Sequence, residues 1–184
     1  MTEGCESVKR QYTDREIQQL LKTMVIVADT REQVWGHIES GLRGMRYAVE
    51  RAKLDFGDYT CKLPDVDGCP MVLSDEIVIE RKANLDEIAM NLTADRKRFE
   101  AEFLRAKANG VKVHLLIENA SWQDIATGNY RSQFSPKCFK ASLLSWQARF
   151  NLTVAFCRME DSAEYIAGTL YYWLKNRLEK GGAL

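Results

Sequence analysis

Asp29, Asp58, Glu80 and Lys82 are the residue types that phosphodiester chemistry needs, spread over three segments of the chain. Residues 77–82 read Ile-Val-Ile-Glu-Arg-Lys, an apolar run that ends in an acid and a base two positions apart. In a strand, alternate residues share a face, so Glu80 and Lys82 project together and Arg81 points the other way. Two carboxylates from different segments can hold one hard divalent cation through oxygen. A lysine beside them can orient or deprotonate a water, or offset charge building on a phosphate. Each residue also has a plain structural reading. Glu80-Arg81-Lys82 would be a strand emerging into solvent, Asp29 a helix N-cap, and Asp58 a turn aspartate behind Gly57. The chemical reading requires that the strands carrying them be neighbours.

The elements that would position these residues can be read from periodicity and punctuation. Thr13-x-x-Glu16 is a capping-box pattern for a helix to about Lys22. Residues 23–28 form a short buried strand that delivers Asp29. Val34, Ile38 and Leu42 fall on one helical face, and Gly41 and Gly44 stop that helix. A strand lies within 45–53, and Asp55-Phe56-Gly57 turns the chain into another over 58–63. Pro64, Gly68 and Pro70 make 64–75 a loop, and 76–82 is the strand ending in Glu80 and Lys82. Asn84 caps a short helix. Residues 94–109 are helical, with Phe99, Phe103 and Ala106 inward and Gly110 as the stop. A strand follows over 111–118, then a helical turn over 121–128. Ser135-Pro136 opens a helix to about Phe150. Strand 152–157 comes next, and Asp161 caps a last helix to about Leu178. Strands interleaved with helices, with one hairpin in the middle, imply an α/β domain with helices on both faces of a mixed sheet.

Composition narrows the partners. The 184 residues suit one domain, and Lys plus Arg equal Asp plus Glu at 26 each, so any nucleic acid must meet a local basic surface. One such stretch runs from Ile125 to Met159, which holds no acid. It carries Arg131, Lys137, Lys140, Arg149 and Arg158, interleaved at first with Tyr130, Phe134 and Phe139. This suits phosphate contacts with stacked bases, or a solvated helix face. A second group, Arg96, Lys97, Arg98, Arg105 and Lys107, has acids between its members and reads as intrahelical ion pairing. The five scattered cysteines and two histidines (His37, His114) make a zinc site improbable and point to reduced thiols in an intracellular protein. No apolar run approaches the roughly 18 residues of a membrane span. The absence of Gly-x-Gly-x-x-Gly and of a P-loop argues against a nucleotide cofactor.

The residues also carry a resemblance. Val27-Ala28-Asp29-Thr30-Arg31-Glu32, then Asp55-Phe56-Gly57-Asp58-Tyr59, then Ile79-Glu80-Arg81-Lys82 with Asp86 four on, resemble the nuclease domain of the XPF family. That family's signature is Gly-Asp, a gap, then Glu-Arg-Lys with an Asp four after the Lys. The likeness continues through Arg96–Glu102 and Leu115–Glu118, and spans roughly residues 24–176. It implies a restriction-endonuclease-like core over 23–178, with 1–22 an extension and 179–184 a tail.

By position, the resemblance implies Asp58 and Glu80 as the main ligands of Mg²⁺ or Mn²⁺, Asp29 as a further acid near the metal, and Lys82 as the group that positions water. Arg81 would support the site or meet phosphate, Asp86 would orient neighbours, and Arg31 and Glu32 match the first motif, with Arg31 as a DNA contact. The activity implied is a metal-dependent DNA endonuclease selective for flaps, forks or branched DNA in repair or recombination. It would act as a homodimer in the cytoplasm, nucleus or nucleoid, with the aromatic last helix (Tyr165, Tyr171, Tyr172, Trp173) as a candidate interface. A non-catalytic DNA-binding scaffold and a sequence-specific restriction-type nuclease are the alternatives. Two departures stand out. The tandem helix-hairpin-helix modules of the larger members have no room after the last helix, and 64–75 is longer and more acidic than the family's gap.

Overall fold

The computed structural model describes residues 11–181. Its strands are β1 (Val25–Asp29), β2 (Ala48–Ala52), β3 (Tyr59–Val66), β4 (Cys69–Val72), β5 (Ile77–Lys82), β6 (Lys112–Glu118) and β7 (Leu152–Cys157). Its helices are α1 (Asp14–Leu21), α2 (Gly36–Gly44), α3 (Leu85–Leu92), α4 (Arg96–Ala108), α5 (Trp122–Thr127), α6 (Pro136–Phe150) and α7 (Ser162–Glu179). The sheet order is β2-β1-β3-β5-β6-β7, with β4 hydrogen-bonded to β3. β2 runs parallel to β1, β3 antiparallel to both β1 and β5, and β6 and β7 parallel to β5. The mixed sheet with helices on both faces is the architecture that the sequence implied.

Strand alternation divides the core in two. Ile26, Ala28, Tyr59, Cys61, Ile77 and Ile79 pack on one side with residues of α1, α2 and α7. Val78, Val113, Leu115 and Ile117 pack on the other with residues of α3, α4 and α6. On that second side Phe99, Phe103 and Trp146 form an aromatic cluster with ring centroids 4.6–5.4 Å apart. The helix starts follow local chemistry: Thr13 closes a capping box with Glu16, while Asn84, Ser121 and Ser135 each accept a backbone N–H.

Five expectations need correction. Residues 64–75 are not a loop: β3 continues to Val66 and returns as β4. The turn is Asp67-Gly68, both at positive φ (54° and 90°), a strong hairpin signal. Pro64 is tolerated because the β3–β4 register shifts between Leu63 and Val66. Val34 does not face the core. It lies ahead of α2 with 74% exposure, and Trp35 is buried instead. Gly41 does not stop α2 but lets α7 approach, since a Cβ there would sit 2.5 Å from that of Ala163. Asp161 makes no side-chain cap at α7; it pairs with Arg158. The thiols are not all free: Cys69 is disulfide-bonded, whereas Cys61, Cys138 and Cys157 are free. The part of the expected 1–22 extension before residue 11, with Cys5, and the tail from Gly182 lie outside the described residues.

Candidate active site

The ends of β1, β3 and β5 meet at Asp58. Its N–H donates to the Ile79 carbonyl at 2.8 Å, and its own carbonyl accepts the Asp29 N–H at 2.7 Å. Asp58 is thereby fixed between the two strands, and its Oδ2 accepts the Arg81 backbone N–H at 2.7 Å. Gly57 makes this approach possible. It lies at φ +63°, and a Cβ there would be 2.8 Å from Val78 Cβ and 3.1 Å from the Ile79 carbonyl. The Gly-Asp pair therefore has a steric reason as well as a chemical one.

Glu80 and Lys82 emerge together on the α3–α4–α6 side, as alternation requires. Lys82 Nζ donates to Glu80 Oε1 at 2.6 Å, lies 3.5 Å from Glu87 Oε1 and sits 5.0 Å over the Phe99 ring. Burial opposes its charge, but Glu80 and Asp58 more than offset this and hold the ammonium above the usual lysine range. Lys82 is thus a fixed cation at neutral pH. Asp58 behaves oppositely. Burial and then the Glu80 carboxylate push it well above the usual carboxylate range, with Lys82 and the Arg81 N–H offsetting only part.

Arg81 crosses to the α1–α2–α7 side, where its guanidinium is buried. Nη2 donates to Glu118 Oε2 at 2.6 Å and Nη1 to Glu32 Oε1 at 3.2 Å. Glu118 is wholly buried and also bonds His37 Nε2 at 2.9 Å. Burial alone would raise the Glu118 carboxyl, but Arg81, Ser162 and His37 bring it below the usual range. Glu32 is pushed up by burial, against the pull of Arg81 and Lys82. Arg81 Nε and the Tyr59 hydroxyl are buried without a hydrogen-bond partner among the described residues. Sequence reasoning missed Glu118 and His37 as members of this network. The one available signal was an acid closing the apolar run Leu115-Leu116-Ile117.

The other expected residues sit differently. Asp29 Oδ1 accepts Arg31 N and Nε, and Oδ2 accepts Arg31 Nη2 and Leu54 N. Four donors saturate the carboxylate, so it is directed at the 30–54 connection rather than at the other acids; nor is it a helix N-cap. Asp86 accepts the N–H groups of Arg131 and Ser132 and pairs with Arg131 Nε at 2.9 Å, which tethers the loop before α6. Arg149 is engaged by Glu100 at 3.3 Å.

A cleft of about 250 Å³ opens between α4 and the 55–58 turn, with Asp58 and Glu80 in its wall and Arg31, Arg98, Glu102 and Arg105 around it. Arg31 is the one expected DNA contact brought to this lining; Arg131, Lys137, Lys140 and Arg149 are not. Arg98 and Arg105 were read only as ion-pairing residues. Arg98 does pair with Glu102 at 3.5 Å, but it also faces the cleft.

Among the described residues no group of three or more His, Cys, Asp or Glu side chains is arranged to hold a metal ion. Asp58 and Glu80 line the same cleft and offer hard oxygen donors. Such a pair fits Mg²⁺ or Mn²⁺, since Mg²⁺ is commonly held by one or two carboxylates and keeps several waters.

The fold and this motif-bearing strand junction define an α/β domain with the fold of XPF nuclease domains. The likeness includes XPF from Aeropyrum pernix, with a TM-score of 0.61 and 19% identity over 83% of this chain and 66% of that one. The same protein in complex with DNA gives a TM-score of 0.60 and 21% identity over 84% of this chain and 66% of that one. This chain thus spans just under two thirds of those structures. A model of the ERCC4 domain matches residues 28–169, and the chain belongs to that family. Among curated proteins nothing matches.

Proposed function

We propose that this chain is a Mg²⁺- or Mn²⁺-dependent endonuclease acting on DNA, with selectivity for flap, fork or branched structures in repair or recombination. The observation that carries the reading is the pairing of β3 with β5. It brings Asp58 beside Glu80 and Lys82, and burial together with the Glu80 carboxylate leaves Asp58 short of positive charge. The resemblance to an XPF in complex with DNA supports nucleic acid as the substrate class.

A divalent ion at Asp58 and Glu80 would supply Lewis-acid polarisation of the scissile phosphate. Glu80 and Asp58 bind and orient through their carboxylates. Lys82, held cationic against Glu80, donates hydrogen bonds to an attacking water or to phosphate oxygen and offsets charge as it develops. In-line attack leaves a phosphate end and a hydroxyl end. Arg81 fixes the strand end from behind, Asp29 locks the connection carrying Arg31, and Asp86 shapes the loop before α6. The exposed Tyr172 and its neighbours on α7 are the face we assign to a second copy of the chain.

The test is incubation of the purified chain with labelled flap, fork, four-way junction and plain duplex, with and without Mg²⁺ or Mn²⁺. Metal-dependent cutting with branched DNA preferred is expected. Binding without cutting in any metal would replace this reading with the scaffold one.

A further inference from the structure

We propose that α4 is the phosphate-binding wall of this site, with Arg98 and Arg105 contacting the backbone of the DNA strand and Arg31 facing them across the cleft. The inference rests on the nuclease reading above, and it moves the contact surface away from the α6 stretch that the sequence favoured.

Arg98 and Arg105 are seven residues apart, so they lie on one face of α4, about 10 Å apart along its axis. That is the axial rise of about three nucleotides of duplex at roughly 3.4 Å each. Both side chains are exposed and both line the cleft that holds Asp58 and Glu80. On the adjoining face of the helix Phe99, Phe103 and Ala106 are buried in the core, so the helix presents its arginines from a rigid base. Arg31 has the opposite anchoring. Its Nε and Nη2 are pinned to Asp29, and Nη2 also donates to the Leu54 carbonyl at 2.7 Å, yet its side chain remains 64% exposed. One guanidinium edge is thus preorganised and the rest is open to an anion.

Glu102 sits on the same wall and pairs weakly with Arg98 at 3.5 Å. It competes with phosphate for that arginine, so neutralising it should have the reverse effect. Beyond Arg105 the surface turns acidic at Asp55 and Asp75, which bounds the track at that end. The basic residues expected on the other surface are partly spent within the protein, since Arg131 pairs with Asp86 and Arg149 with Glu100.

The experiment measures affinity for a labelled flap by fluorescence anisotropy over a salt series, in a Glu80→Gln background that prevents cutting. Arg98→Gln with Arg105→Gln should weaken binding at least about tenfold and reduce the magnitude of the salt slope by about 2. Arg15→Gln with Arg43→Gln, on the opposite side of the sheet, should leave both unchanged, and Glu102→Gln should tighten binding several-fold. In otherwise native protein with Mg²⁺, the Arg98/Arg105 pair should raise KM much more than it lowers kcat. Because both arginines are exposed, thermal melting should be unaltered. If that pair retains full affinity and slope while the native chain still cuts, the track is wrong and the nuclease reading stands. If the native chain neither binds nor cuts DNA, both fail.

Discussion

The two sides of the sheet at the end of β5 treat charge in opposite ways. On one side Glu80 and Lys82 form a close pair, and the adjacent Asp58 is left with too little positive charge around it. On the other side Arg81 is enclosed by Glu118 and Glu32, and Glu118 is further bonded by His37. A buried charge held by several partners fixes a conformation. A half-buried carboxylate short of positive charge holds potential for a ligand. The residues involved are adjacent in sequence, and only the pleat separates them.

The largest effect should come from breaking the enclosed side. Glu118→Ala leaves the Arg81 guanidinium buried against Glu32 alone and should cost about 3–5 kcal/mol, read as a loss of roughly 6–20 °C in Tm. Arg81→Met with Glu118→Leu should recover most of that stability, because an apolar pair replaces an ionic one. A Glu118→Ala protein with unchanged Tm would show that the network is not structural.

On the open side, Glu80→Ala and Lys82→Ala should each lower metal-dependent cutting at least roughly a hundredfold, about 2.7 kcal/mol of barrier. Undiminished cutting by Glu80→Ala would remove that residue from the site.

Asp58→Asn separates function from stability. The folded-state pKa of Asp58 lies above its unfolded value, so the folded chain holds the proton more tightly. The native protein therefore loses stability as pH rises through the folded value. Asn keeps an acceptor for the Arg81 N–H without the charge. Urea melts should show a gain of about 1 kcal/mol or more at neutral pH that disappears below the ordinary aspartate pKa of 3.8. Cutting should be lost at every pH. A neutral-pH destabilisation would mean that Asp58 is already well compensated.

The smallest effect is expected at Asp86→Ala. It removes a tether to an exposed arginine, worth under about 1 kcal/mol, and should speed hydrogen exchange at Arg131 and Ser132 with cutting retained. A loss of cutting comparable to Lys82→Ala would return Asp86 to the catalytic machinery.

Much of this molecule is legible in the chain itself. Strand β7 was expected at its observed bounds, and the caps at Thr13, Asn84, Ser121 and Ser135 follow from side chains that hydrogen-bond within three residues of themselves. The facing of Glu80 and Lys82 away from Arg81 needed only the period of a strand. Where longer-range packing decided the outcome, local signals misled. Gly41 resembled a helix stop, but its lack of a Cβ serves contact with α7, a helix more than a hundred residues on. Val34 fits a helical spacing that begins too early, and Pro64 marks the end of a strand by local rules although a register shift lets β3 continue.

Residue type and spacing alone determined the candidate acids, the lysine and the alternation that groups them, because these are properties of a short extended backbone. Tertiary structure decided what each group does there. It placed β3 between β1 and β5 so that Asp58 meets Glu80, turned Asp29 toward Arg31 and Leu54, and gave Asp86 to a loop. It also brought Arg98 and Arg105 of α4 over the cleft. Those outcomes depend on which donors and charges lie within a few ångströms, and residues up to 81 positions apart (His37 and Glu118) provide them.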